Sequence, residues 1–342
     1  NNLAWEKKKT YNVGIDLALF RNRLEFTAEW YKNTSEDLLY AVPVPEQAGV
    51  SNTTVTMNAA SMNNSGFEFS ATYRNRDHDF KYEVSANLST LRNRVTSLGF
   101  GTDSYISGSY ITKVGEEIGQ FYGWVYEGIA RTQEVLDNHA TQEGAQIGDC
   151  LYKDVNNDGK VDSEDQVVLG SGMPKINFGL NARFEYKRFD LSIATFGALN
   201  YHVSDDIYNS LNSCYGWGNK EVGMLDANRF SEDGSTYLSN VPRTYVTNSA
   251  SLGWNDLFSS RKIQNAAYWK IANVELGYNF PDKWFDKYVS DVRFYISAQN
   301  LHTFTGYHGY NVDYAGGTFT PGYNFCSYPT ARTFMCGVHF TF

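Results

Sequence analysis

Between Pro174 and Leu199 the chain reads PKINFGLNARFEYKRFDLSIATFGAL. Ile176, Phe178, Leu180, Ala182, Phe184 and Tyr186 alternate with Asn177, Gly179, Asn181, Arg183 and Glu185. A period of two belongs to an extended strand with one apolar and one polar face. About eleven residues at roughly 3.3 Å each, tilted by about 45°, match the hydrocarbon thickness of a bilayer. After Lys187-Arg188 the pattern restarts with Phe189, Leu191 and Ile193 on the apolar side. Strands of soluble sandwiches are nearer five or six residues. Two longer strands around a short polar turn read as a membrane-spanning hairpin of the outer-membrane-barrel type.

Composition agrees with an all-β chain. The 342 residues are 42% hydrophobic and 16% aromatic, with 29 Gly and only 7 Pro, and no apolar run reaches the length of a transmembrane helix. Lipid-facing residues recur only at every second position of a barrel strand, so a mean hydropathy of −0.45 is compatible with the membrane. A net charge of −9 argues against nucleic acid and against a basic membrane-surface module. Cys150, Cys214, Cys326 and Cys336 form no metal motif. Cys336 falls on an apolar strand face; the other three fall in expected loops, which leaves one disulfide open. The opening NNLAWEKKKT has no basic-then-apolar leader.

Further alternating pairs lie at 11–19 with 24–31, at 67–73 with 80–88, and at 272–280 with 292–298; a last strand carries Phe334, Cys336, Val338 and Phe340 outward. This makes about nine strands with alternately short and long connections, the long ones at about 33–63, 92–173, 200–264 and 301–328. Short periplasmic turns and long extracellular loops are the asymmetry of outer-membrane barrels. An odd count, with the first strand running downward from outside, is awkward for a closed single-chain barrel, and open edges are not tolerated in lipid. The expectation is that further strands come from outside these residues, on a separate or an omitted stretch of polypeptide.

The stretches LAWEKKKTYNVGIDLALFRNRLEFTAEWYKNTSEDLLY, NNSGFEFSATYRN, IGQFYGWVYEGIA, GDCLYKDVNNDGKVDSEDQVVLGSGMPKINFGLN, YWKIANVELGYNFP, VRFYISAQNLHTFTGYHGYNVD and YPTARTFMCGVHFTF, in this order, resemble the C-terminal part of SusC/RagA-like TonB-dependent outer-membrane transporters. The resemblance covers nearly the whole chain. It implies the last strands of a 22-stranded barrel with a lumenal plug, the plug and remaining strands lying outside these residues. It also implies a SusD-like surface lipoprotein as partner, energy from TonB through the plug, and import of oligosaccharides or, in the same class, oligopeptides. The aromatic end at Phe342 resembles the signal read by barrel-assembly machinery.

The sharpest local motif is DVNNDGKVDSED. Asp154, Asn156, Asp158, Asp162 and Asp165 supply side-chain oxygens at calcium-loop positions, Lys160 a backbone carbonyl, and Gly159 the turn. Hard oxygens at that spacing suit a structural Ca²⁺; the alternative is a metal-free loop of Asx turns. Tyr122, Trp124 and Tyr126 are candidates for docking the lipoprotein or for packing a loop on the rim. Tyr215, Trp217, Tyr310, Tyr314 and Tyr323 are candidates for contacting cargo, against ordinary loop packing and interfacial aromatics. Asp16, Glu25, Glu29, Glu68, Arg74, Arg183, Glu185, Glu275 and Arg293 fall on the polar, lumenal face. His302, His308 and Asp313 are too loosely spaced for a ligand set, and no nucleophile–base constellation is present, so the chain reads as no enzyme. A different class, a soluble Ca²⁺-binding carbohydrate-binding β-protein, would share the aromatics and the Asp-rich loop. It would leave the apolar strand faces exposed to water.

Overall fold

The structure is a computed structural model that describes residues 3–43, 54–214, 219–244, 250–281, 290–313 and 316–341. Nine strands form one antiparallel meander in chain order: β1 (Lys7–Leu19), β2 (Leu24–Pro43), β3 (Thr54–Asn75), β4 (Phe80–Thr90), β5 (Ile176–Tyr186), β6 (Phe189–Leu199), β7 (Tyr268–Asn279), β8 (Asp291–Thr305) and β9 (Thr333–Thr341). A tenth, Arg92–Ser97, continues the line of β4 and stays paired to β3. The sheet is open, with β1 and β9 at its edges. No helix among the described residues is long and apolar enough to cross a membrane.

Because the register carries across neighbours, side chains fall into rows. Val13, Trp30, Phe67, Thr90, Ile176 and Leu199 lie roughly level on one face: Val13 faces Trp30, Trp30 faces Phe67, and Ile176 faces both Thr90 and Leu199. Phe67 and Thr90 are tied by hydrogen bonds between the Thr90 hydroxyl and the Phe67 backbone. This face exposes Val13, Ile15, Leu17, Phe69, Leu88, Leu180, Ile296 and Phe334, as a lipid-facing wall should. Ring pairs mark its two margins. Phe80 with Phe184 (6.0 Å), Tyr73 with Tyr82 (5.9 Å) and Phe189 with Tyr278 (4.9 Å) lie near the short turns. Phe67 with Phe69 (6.1 Å) and Trp269 with Phe304 (5.3 Å) lie toward the long excursions.

The opposite face is ionic where it nears the short turns. Arg74 reaches Glu25 at 2.5 Å and Glu83 at 2.8 Å. Arg293 on β8 reaches across β7 to Asp190 on β6 at 2.5 Å and meets Glu275 at 2.7 Å. The residue it passes over is Gly277, where a Cβ would collide with both the guanidinium and the Asp190 carboxylate. Glycine is therefore demanded by close approach at this position.

Two expected loops need correction. The segment 33–63 is largely strand, since β2 runs to Pro43 and β3 starts at Thr54. Above the membrane both faces of a strand are free to be polar, so the hydrophobic alternation stops at Asn33 and Asn63 while the ladder continues. A left-handed Asp37 accompanies the register shift there. Likewise β8 extends to Thr305, so the third excursion begins later than 301. The aromatic run 121–129 is also not irregular. It makes two short strands, Gln120–Gly123 and Tyr126–Ile129. All four cysteines are free thiols, and Cys336 is exposed on the outer wall as expected. Phe342 lies outside the described residues.

Candidate functional site

The excursions between β4 and β5 and between β6 and β7 build the surface above the wall, and side chains with no periodic signature hold them together. Gln120–Gly123 pairs with Val167–Ser171 and with Tyr110–Lys113. Phe121 is fully buried between Tyr110 (5.1 Å) and Phe258 (5.9 Å). Gly123 lies so close to the Phe258 carbonyl that no Cβ fits. The Trp124 N–H donates to Phe258 (3.2 Å), its carbonyl accepts from Ser260 (3.0 Å), and its indole N–H donates to the Asp162 carbonyl at 2.9 Å. Tyr126 packs edge-on against Tyr152 at 6.4 Å. Trp124 and Tyr126 thus have packing roles in the rim, and Tyr122 is half-buried.

Beneath them lies a buried polar knot that sequence reasoning missed. Asp149 is fully buried and accepts from Arg243 Nη2 at 3.0 Å, from Arg243 Nε, from Asn255 Nδ2 at 2.7 Å and from the Gln146 N–H at 2.9 Å. Asn255 in turn accepts from the Cys150 N–H at 2.7 Å. Burial pushes the Cys150 thiol up to about 12 and the Cys214 thiol up to about 11, so both stay protonated and unreactive. A second knot joins Asp205, Tyr307 and Asn324: Asn324 Nδ2 donates to Asp205 at 3.0 Å, and the Tyr307 hydroxyl donates to the same oxygen. Lys270 pairs with Asp313. His302 instead lies against Phe304 and His308 stacks on Tyr208, so the two histidines and Asp313 form no cluster.

In the Asp-rich loop, Asp154 accepts from the N–H groups of Asn157 (2.6 Å) and Gly159 (2.8 Å), Asn156 from Asp158 (3.0 Å), and Asp158 from Lys160 (2.9 Å). Asn157 and Gly159 are left-handed. Asp162 and Asp165 close a reciprocal capping box over 163–165. Asp165 is fully buried; burial opposes its charge, but N–H donors from Asp162, Val155 and Asn156 outweigh this and hold its pKa below the ordinary carboxylate value. A depressed folded pKa contributes stability that is present above the unfolded value near 3.9 and is lost as pH falls through the folded one. Asp165→Ala should leave three N–H groups unsatisfied and cost about 1–3 kcal/mol locally. Faster hydrogen exchange at 154–165 is the expected readout; unchanged exchange would reject it. Among the described residues no three His, Cys, Asp or Glu side chains already converge as a metal cage.

Toward the third excursion, Tyr310, Phe325 and Tyr328 are strongly exposed. Tyr323 is half-buried in a short strand beside Ser204 and Asp205 and stacks on Phe325. Tyr215, Trp217 and Tyr314 lie outside the described residues.

Residues 1–301 match the family described as TonB dependent receptor-like, beta-barrel. The chain belongs to that family. It is 31% identical over its whole length to TonB-dependent receptor P3 of Formosa agariphila and 26% identical to TonB-dependent receptor SusC of Bacteroides thetaiotaomicron, covering 35% and 32% of those proteins. The structure of the RagAB peptide transporter superposes over the full chain with a TM-score of 0.81 at 22% identity, this chain covering 36% of that one. The fold is therefore that of a TonB-dependent barrel, and the chain spans about a third of the curated relatives it matches. Its place is the outer membrane, and the family is one of receptors rather than enzymes.

Proposed function

We propose that this chain forms the C-terminal wall and part of the extracellular rim of a SusC/RagA-like importer. In this reading it is energised by TonB through a plug outside these residues and works with a SusD-like lipoprotein, and its cargo is an oligosaccharide. The observation that carries the cargo assignment is the exposed aromatic group Tyr310, Phe325 and Tyr328 on the rim. Flat, partly apolar ring faces suit sugar rings, and such residues dominate interface energetics. Oligopeptide cargo is the second reading. It is favoured by a cavity of about 350 Å³ lined by Asn300, Thr303, Asn311, Arg332 and Lys270, where Arg332 could take a carboxylate, Lys270 being paired with Asp313. The hard oxygens of Asp154, Asn156, Asp158 and Asp162 and the Lys160 carbonyl suit Ca²⁺, which would rigidify this excursion. Asp165 could join only by giving up backbone partners.

The test uses the full-length transporter with its lipoprotein and calorimetric titration against separate panels of oligosaccharides and oligopeptides. The expected result is oligosaccharide binding that Tyr310→Ala with Tyr328→Ala weakens by about ten-fold or more, as loss of an aromatic hot spot does. Binding confined to peptides, and insensitive to these changes, would reject the carbohydrate reading.

A further inference from the structure

The outer wall carries a feature that cargo import does not use. Just above the apolar row of Val13, Trp30 and Phe67, the next outward row reads Tyr11, Lys32, Ser65 and Arg92. Tyr11 faces Lys32, Lys32 faces Ser65, and Ser65 faces Arg92. The row above it places Thr34 opposite Asn63 and Asn63 opposite Arg94. The intervening Asn93 and Val95 point the other way and are buried beneath the excursion, so Arg92 and Arg94 start from the outward face; both are exposed, and the Arg94 guanidinium lies beside Gly115 at the foot of the excursion. Lys9, in the same upper row, is neutralised by Glu36 at 2.7 Å. No carboxylate among the described residues lies within ion-pair distance of Lys32, Arg92 or Arg94. Lys32 and Arg92 are two strand spacings apart, about 10 Å.

Lower on the same face, beyond the row of Phe67 and Thr90 and about 20 Å down the strands from Ser65 and Arg92, there is a hollow. Ala71 and Ala86 are paired and form a floor walled by Phe26, Phe69, Phe178 and Leu180, in a groove of about 520 Å³ with almost no polar lining. Leu88, also in this groove, lies on the strand line that leads to Arg92, about 13 Å further up. The short turns place the opposite end of the wall in the periplasm, so the cations stand at the outer leaflet and the groove lies below them. Outside the barrel at that height the neighbours are lipid headgroups, and below them acyl chains. Basic side chains bordering a membrane attract anionic headgroups, and close van der Waals packing retains a chain where no hydrophobic force distinguishes protein from lipid.

We propose that this face binds a phosphate-bearing acyl lipid of the outer leaflet, its phosphate against Lys32, Arg92 and Arg94 and one acyl chain over Ala71 and Ala86. The site depends on the outer-membrane location and not on the cargo reading. The test is native mass spectrometry of the full-length transporter released from nanodiscs of phosphatidylcholine containing lipid A as the phosphorylated probe. The wild type should retain lipid A in preference to phosphatidylcholine. Lys32→Ser, Arg92→Ser and Arg94→Ser together should lower retention about ten-fold or more, since each cation contributes to headgroup attraction. Ala86→Phe, which fills the groove without touching charge, should lower it as well. Each variant is first confirmed as a folded barrel by heat-modifiable migration on gels. Equal retention by the wild type and the triple variant overturns the proposal. So does Ala86→Phe changing the oligomeric mass with lipid retention unchanged, which would make the groove a contact between copies.

Discussion

Arg293→Ala is expected to lower the stability of the assembled barrel by about 3–5 kcal/mol, because it leaves a buried carboxylate without its partner. Asp190 is 5% exposed, and Arg293 donates to both its oxygens, from Nε at 3.0 Å and Nη2 at 2.5 Å. The same guanidinium serves Glu275 at 2.7 Å, so its loss strands two anions on neighbouring strands. The measurement is heat-modifiable migration and denaturant unfolding of the full-length transporter. Arg293→Met with Asp190→Asn should recover much of the loss, since removing both charges also removes the desolvation penalty. An unchanged midpoint for Arg293→Ala would mean that lumenal water screens the pair. Gly277→Val should reproduce the defect by steric means, as a branched side chain displaces both partners.

Arg243→Ala is the counterpart in the long excursions, also expected to cost about 3–5 kcal/mol, but locally. Asp149 has no exposed surface, and of its three partners Arg243 is the only cation. With the charge uncompensated, the knot between the two excursions should open. Hydrogen exchange should then rise at both 126–152 and 254–262 while the wall strands stay protected. A rise confined to residues adjacent to Arg243 would mean that Asn255 alone holds the contact.

The wall was legible in the sequence because it obeys a periodic constraint. Ile176 to Tyr186 had to alternate to separate lipid from lumen, and the turn at Lys187-Arg188 fixed its partner. Where that constraint lapses, so does the signal: beyond Asn33 and before Asn63 the strands carry no alternation that separates them from loop. Asn255 stands 106 residues from Asp149, a spacing set by folding and not by any local period. Asp190 was simply a polar residue in an alternating strand; its role depends on the absence of a side chain at Gly277, on a different strand. The local packing of Trp124 and Tyr126 has no signature in their spacing, because it depends on distant residues: Phe258 and Ser260 bond the Trp124 backbone, and Tyr152 lies against Tyr126.

The joining of the two excursions has a kinetic meaning. Trp124 exchanges backbone bonds with Phe258 and Ser260, the Tyr152 hydroxyl donates to the Trp254 carbonyl, and Asp149 holds Arg243 and Asn255. Segments clamped at so many points do not fluctuate separately. They share one activation barrier, so displacement of either should appear as a single concerted transition with one relaxation time. A probe placed on one excursion would then report the motion of both.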